Sequence, residues 1–292
     1  MTLDIRIPPV IRPWGPAARI GRAVRPARTA AAPRPIRLAP GAPRRWGWAI
    51  GPALLLLYWS VLSAAGYLDP RILPAPWTAV STAIDLIREG RLQTDLAISA
   101  GRAAAGLAFG VVAGVVLALA SGLTRLGGYV VDGVVQLKRG IPILAVIPFM
   151  VLWFGIGEGM KVITIAVTVF FPIYLQTHSA LKAIELKQVE LAETLRLSRA
   201  QFLWHVAIPA VLPGFLTGLR FGVTSAWLAL VVVEQLNATS GIGYMVTLAR
   251  NYAQTDVMLV GLVVYALLGL SSDAAVRLLQ KRALRWRRTL GQ

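Results

Sequence analysis

The chain has no cysteine and only two histidines, His178 and His205, in 292 residues. Disulfides and thiolate metal sites are excluded by the first absence, and a histidine metal site by the shortage of ligands, so no metal is expected. Charge is scarce and one-sided: 13 Asp and Glu stand against 30 Lys and Arg, the net charge is +17, and charged residues make up 15% of the chain. Neither Gly-x-Ser-x-Gly nor His-Glu-x-x-His occurs, so no catalytic residue is assigned, the chain is not read as an enzyme, and no cofactor is expected. The glycines of Gly155–Lys161 invite a phosphate-loop reading, but Met160 precedes Lys161 and Val162 follows it. Without Gly-Lys-Ser/Thr there is nothing to bring amides, ammonium and hydroxyl together on phosphate and magnesium.

What is present is apolar. Hydrophobic residues make up 56% and the mean hydropathy is +0.64. They arrive in six blocks: Trp46–Tyr67, Ala103–Leu123, Ile141–Phe154, Val162–Leu181, Ala210–Val233 and Val257–Leu279. Blocks of this length exceed ordinary core helices. Inside lipid only helices or a closed barrel satisfy the backbone, and no alternating ten-residue strands occur, so the fold is read as all-α and polytopic with six transmembrane helices. Gly106, Gly110 and Gly114 in the second block are spaced for close helix packing. The third block is short and holds Pro142 and Pro148, which suits either a cavity-lining helix or a kinked packing helix.

The charges set boundaries and orientation. Residues 1–45 hold ten arginines, one acid and nine of the 18 prolines. That composition disfavours helix and reads as a disordered basic arm near anionic lipid; a nucleic-acid arm would want aromatic interleaving, and only Trp14 provides it, so no nucleic acid is expected. Arg44 and Arg45 before the first span, and Lys281, Arg282, Arg285, Arg287 and Arg288 after the last, predict both termini in the cytoplasm of an inner (plasma) membrane protein. Residues 46–94 are then the first span plus an outer amphipathic helix over Trp77–Arg91, 95–280 the membrane core, and 281–292 a basic C-terminus.

Between spans four and five the stretch 183–209 is too polar for lipid and too patterned for a slack connector. Glu185–Leu195 is helix-like, and Ser198-Arg199-Ala200-Gln201 has the form of a capping box opening a second helix. Pro209 and Pro213 are expected to redirect the chain into span five. Here Glu190-Leu191-Ala192, position 196 and Val206-Ala207-Ile208-Pro209 resemble the cytoplasmic signature of the transmembrane subunits of bacterial binding-protein-dependent ABC importers. Leu137–Pro142, Trp153–Glu158, Gly218-Leu219-Arg220, Trp227 through Glu234, Ser240–Tyr244 and Asp256 extend the likeness to the nitrate/sulfonate/taurine branch, from about residue 95 to 280.

The resemblance implies a type I importer permease whose loop docks on a separate ATPase through Glu190, Leu191, Ala192, Arg196, Val206, Ile208 and Pro209. It also implies an extracytoplasmic binding protein and a second permease copy as partners, and a small anion or a heterocyclic nutrient as cargo. One departure stands out: the family glycine is Arg196. If the same left-handed turn were kept, arginine would cost about 1–2 kcal/mol there; otherwise the turn differs.

Four residues are candidates for the pathway or gate: Arg139, Arg220, Glu234 and Asn237. Glu234 reads either as part of an outer gate or as a helix-end cap or ion pair, and it lies too far from Arg220 on one helix to pair with it. Arg220 either lines an anion vestibule or anchors a helix; Asp273 is expected to pair with a basic neighbour, and His178 to pack. The competing class is an ATPase-independent secondary transporter or channel, which has no need of a docking loop and usually shows two related halves.

Overall fold

The computed structural model describes residues 47–124 and 127–286; the basic tail 1–45, Arg125, Arg287 and Arg288 lie outside them, as does the side chain of Arg139. The chain divides after Ile50, within the helix that opens at Gly47, and the helical bundle belongs to the second unit. Among the described residues all regular elements are helices.

The first helix, α1 (Gly47–Ala64), is about 27 Å long at ~1.5 Å per residue and exposes Leu54, Leu55, Leu56, Leu57, Tyr58 and Val61. A short helix, α2 (Pro76–Arg88), begins on proline, whose missing N–H would be unpaired at that position anyway. Gly90, at φ 72°, turns the chain into α3 (Arg91–Leu123). This helix starts at Arg91, well before the Ala103 expected from hydropathy. Charges bound a span only when they lack partners, and Asp95, Ser99 and Arg102 in these first turns are all buried against partners.

The third pass differs from expectation. A π turn over Gly128–Asp132 leads into α4 (Gly133–Arg139), and α5 (Ile143–Phe154) follows at 108° to it. The break falls on Gly140-Ile141-Pro142, with Pro142 extended as the N-cap of α5. Then come α6 (Glu158–Lys182), α7 (Leu186–Thr194), α8 (Arg199–Phe202), a π turn over Leu203–Ala207, α9 (Ile208–Asn237), α10 (Ile242–Asn251) and α11 (Thr255–Ala283). Of the six expected passes, α3, α6, α8 through α9, and α11 are long and apolar enough to cross a bilayer, and the α4–α5 pair makes a fifth when it is counted as one broken span. α1 is a shorter apolar helix, at the lower limit of spanning length.

The centre of the bundle is α6. Its Ile165, Val169 and Ile173 are wholly buried, between α3 on one side and α9 on the other. Two glycine stripes make this approach close. A Cβ at Gly106, Gly110 or Gly114 would stand 2.5–2.7 Å from Ile165, Ala166 or Ile173 of α6, and one at Gly214 or Gly218 2.4–2.9 Å from Ala180 or Pro172. Tight backbone contact of this kind is how helices associate where lipid removes the hydrophobic incentive. The α3 stripe is therefore filled within the chain and is not a contact for a second copy. At the end remote from loop 183–209, α2, α10 and α11 pack through Leu86, Met245, Ala249 and Val257.

Candidate functional site

Loop 183–209 forms the projecting feature at one end of the bundle. The described α7 stops at Thr194, and Arg196 follows with φ 50°, one of two non-glycine residues with positive φ among those described. Leu197 N–H donates to Ala192 O (3.0 Å) and Arg196 N–H to Glu193 O (2.9 Å), the paired bonds of a Schellman motif with Arg196 in the place glycine favours. The left-handed turn is thus kept despite the arginine, at about 1–2 kcal/mol of backbone strain.

The expected capping box is present: Gln201 N–H donates to Ser198 Oγ, and Ser198 N–H to Gln201 Oε1. The helix it opens does not end in a separate knob. It runs from Arg199 to Asn237 as one rod of 39 residues, so Pro209 does not redirect the chain. Pro209 instead lies in the first turn of α9, where the π turn before it shifts Ile208 N–H back onto Leu203 O. The extra residue of the π turn accommodates a position that cannot donate. α8 and the fifth span are consequently one continuous helix.

The surface of this loop is unusual for a polar connector. Ala192 is buried, Val206, Ile208 and Pro209 are partly buried, and Glu190 and Arg196 are exposed. Beside them Leu186, Leu191, Leu195 and Trp204 are all exposed, Leu191 by 59% and Trp204 by 67%. A groove of about 770 Å³ runs between the end of α3 at Leu123–Thr124 and Val189, Ala192 and Phe202. Next to it Asp132 accepts from Tyr174 Oη (2.5 Å) and Lys182 Nζ (3.1 Å), and lies 3.2 Å from His178 Nδ1. His178 is packed on Tyr174, as expected, and its Nδ1 faces the Asp132 carboxylate.

The opposite end holds a buried charge network that hydropathy concealed. Arg102, 4% exposed, directs all its N–H groups at partners: Nε and Nη2 to Glu158 (2.6 Å each), Nη1 to Glu234 Oε1 (2.7 Å) and Ser240 O (2.7 Å), and Nη2 also to Ser240 Oγ (3.0 Å). Glu234, 1% exposed, further accepts from Ser99 Oγ, Gly243 N–H and Tyr265 Oη. This gives Glu234 the ion-pair and capping role of its two readings, since its carboxylate is enclosed. Gly241 permits the closure: at φ 101° it suits glycine, and a Cβ there would stand 2.5 Å from Glu234 Oε1.

Arg220 does not join this network. Its Nε donates to Asp273 (2.6 Å), which also pairs with Arg277, so it anchors α9 to α11. Asn237 closes α9, partly buried. The loop cluster and the Glu234 cluster sit at opposite ends of α6 and α9. Sequence reasoning missed Arg102, Asp95, Ser99 and Lys161; the signal was an arginine bounded by small residues, a place where only a partnered charge is tolerated.

The family model described as binding-protein-dependent transport system inner membrane component matches residues 110–285. The chain belongs to that family. A Bacillus subtilis protein that carries the name of an aliphatic sulfonates transport permease, SsuC, is 36% identical over 255 residues, 86% of this chain and 92% of that protein. The Escherichia coli taurine transport system permease protein TauC is 34% identical over 239 residues, 80% and 87% of the two chains. In fold, the crystal structure of an amino acid ABC transporter is similar with a TM-score of 0.55 at 15% identity, covering 68% of this chain and 97% of that one. As a member of the family the chain is a multi-pass inner-membrane transport permease with the type I importer fold.

Proposed function

We propose that this permease is the non-catalytic membrane subunit of an ATP-driven importer, that two copies form the path, and that loop 183–209 docks on separate ATPase subunits. The cargo is a small organosulfonate anion of the alkanesulfonate or taurine class, delivered by an extracytoplasmic binding protein. The names of the two relatives support that class. The observation that carries the coupling role is the set of exposed apolar side chains Leu186, Leu191, Leu195 and Trp204 on the same loop as Glu190, whose second helix is continuous with span five. Exposed apolar area of this kind, ringed by polar residues, marks a partner surface. The basic flanks support cytoplasmic termini and an outer-side location for the Arg102 network.

The test is reconstitution with the ATPase subunits in vesicles, with ATP supplied on the loop side and binding protein on the other. Taurine or ethanesulfonate uptake should require ATP hydrolysis. Uptake driven by an ion gradient without ATPase would instead identify a secondary transporter. Because the chain lacks cysteine, single cysteines at positions 20 and 286 give a clean topology assay: labelling of either from outside intact cells would overturn the orientation.

A further inference from the structure

Lys161 and Arg102 are two cations, 3% and 4% exposed, that converge on a carboxylate whose own side chain is 62% exposed. Glu158 gives Oε1 to Lys161 Nζ (2.8 Å) and to Arg102 Nη2, and Oε2 to Arg102 Nε. The arginine fork is held side-on in two parallel bonds, the geometry in which guanidinium takes carboxylate, phosphate and related oxyanions. Arg102 has a second anion, Glu234, on its far side, but among the described residues Lys161 has no other ion-pair partner.

The carboxylate is the exchangeable member of this set. Arg102 lies inside α3 and Lys161 in the first turn of α6, and both side chains are buried, whereas Glu158, the first residue of α6 with glycine on both sides, has its side chain 62% exposed. A Cβ at Gly155, Gly157 or Gly159 would meet nothing within 4 Å, and Glu158 and Gly159 are exposed, so the carboxylate has room to swing away. Water reaches Glu158 and not the cations. When Glu158 swings out, two desolvated positive charges face the mouth of the site, and any oxyanion entering from water restores the pairing that Lys161 has lost.

We propose that Arg102 and Lys161 form an oxyanion site at the mouth of the permease, occupied in this conformation by the Glu158 carboxylate, and that a sulfonate headgroup enters by displacing it. Glu158 then acts as a resident competitor that keeps the site from holding cargo too tightly, as a transport path requires. This site rests on the importer function and deepens it, because it assigns the headgroup contact for the same cargo.

The absence of native cysteine supplies the test. Full-length Glu158→Cys, purified with its ATPase subunits, is reacted with anionic sulfonatoethyl and cationic trimethylammonioethyl methanethiosulfonates, each rate divided by that of a free thiol. The anionic reagent should be preferred by about tenfold or more, as two buried cations beside a thiol demand. Methanesulfonate should slow that reaction, uncharged dimethyl sulfone should not, and adding Lys161→Gln should remove most of the preference. Equal normalised rates, or no protection by methanesulfonate, would overturn the site.

Should Glu158→Cys not accumulate, Glu158→Gln serves: methanesulfonate should raise its thermal midpoint above that in chloride of equal ionic strength, and by more than in the wild type. No such difference would equally overturn it. Wild-type uptake separates the two readings. Sulfonate import without anion preference at position 158 removes this site and leaves the importer standing; anion preference without import keeps the site and removes its cargo.

Discussion

The two ends of the bundle treat unsatisfied groups in opposite ways. Around Glu234 the buried charges meet partners within the chain, with Ser99, Ser240, Gly243 and Tyr265 completing the shell. Around Glu190 the chain leaves leucines and a tryptophan in water and holds an arginine in a left-handed turn. The first arrangement specifies one internal geometry; the second leaves apolar side chains exposed, as the docking proposed above would require. If loop 183–209 couples to an ATPase as proposed, rigidity is needed where helices must stay in register and complementarity where force enters.

The largest effect should follow from breaking the closed end. Arg102→Met removes the cation between Glu158 and Glu234. Glu158 can solvate its charge, but Glu234 cannot, so an uncompensated buried carboxylate remains, at about 3–5 kcal/mol. Protein level and thermal stability should both fall sharply. Adding Glu234→Gln should recover a substantial part, because it removes the orphaned charge. If Arg102→Met proves as stable as the wild type, the network is not what fixes this end.

The open end should respond in function and not in stability. Glu190→Arg sets a second cation near Arg196 on an exposed surface that touches no membrane helix core. Like charges facing a partner can cost several kcal/mol, enough to dissociate a modest complex. Uptake should collapse and the ATPase should be lost on co-purification, while the subunit inserts and accumulates normally. Transport at the wild-type rate would sink the docking assignment.

Between the ends, Gly110→Ala tests whether the bundle is one rigid body. A methyl there would stand 2.6 Å from Ala166 O and 2.7 Å from Val169 Cβ, both on α6, and backbone cannot move aside as a flexible side chain can. Overpacking of this kind costs about 1–3 kcal/mol. Stability should drop by less than in Arg102→Met, and coupling should suffer at both ends. Gly159→Ala, with open space around it, is the matched control and should leave stability unchanged.

What the sequence made legible divides along the same line. The glycine stripe of α3 and the Ser198–Gln201 box were readable because each rests on short-range spacing. Glu190-Leu191-Ala192 was readable by resemblance. The Arg102 network was not, because its partners lie 56 to 138 residues apart, and a charge at the edge of an apolar block reads as the end of a span until its partner is known. Lys161 came into view only as a failed phosphate-loop lysine. The bend at Gly140-Ile141-Pro142 and the unbroken passage of α8 into α9 were misread for one reason: the effect of a proline depends on whether its neighbours can reroute the missing hydrogen bond. Pro142 caps a new helix, whereas Pro209 comes after a π turn that absorbs it.

The smallest effect sharpens the comparison most. Arg196 keeps the turn that glycine would take at almost no cost, so Arg196→Gly should relieve about 1–2 kcal/mol of strain. Part of that gain is offset, since a cation at a helix C-terminus contributes roughly 0.3–1 kcal/mol. The isolated subunit should therefore become slightly more stable, seen as a small rise in thermal midpoint. Among the described residues no ion-pair partner within the chain offsets the strain on Arg196. If the guanidinium meets an acidic site on the ATPase, the same variant should weaken assembly, and the loss should be greatest at low salt, where such a contact is strongest. A stabilised subunit with unchanged assembly at every salt concentration would leave Arg196 as strain alone, and the open end would then owe its recognition to Glu190 and the exposed leucines.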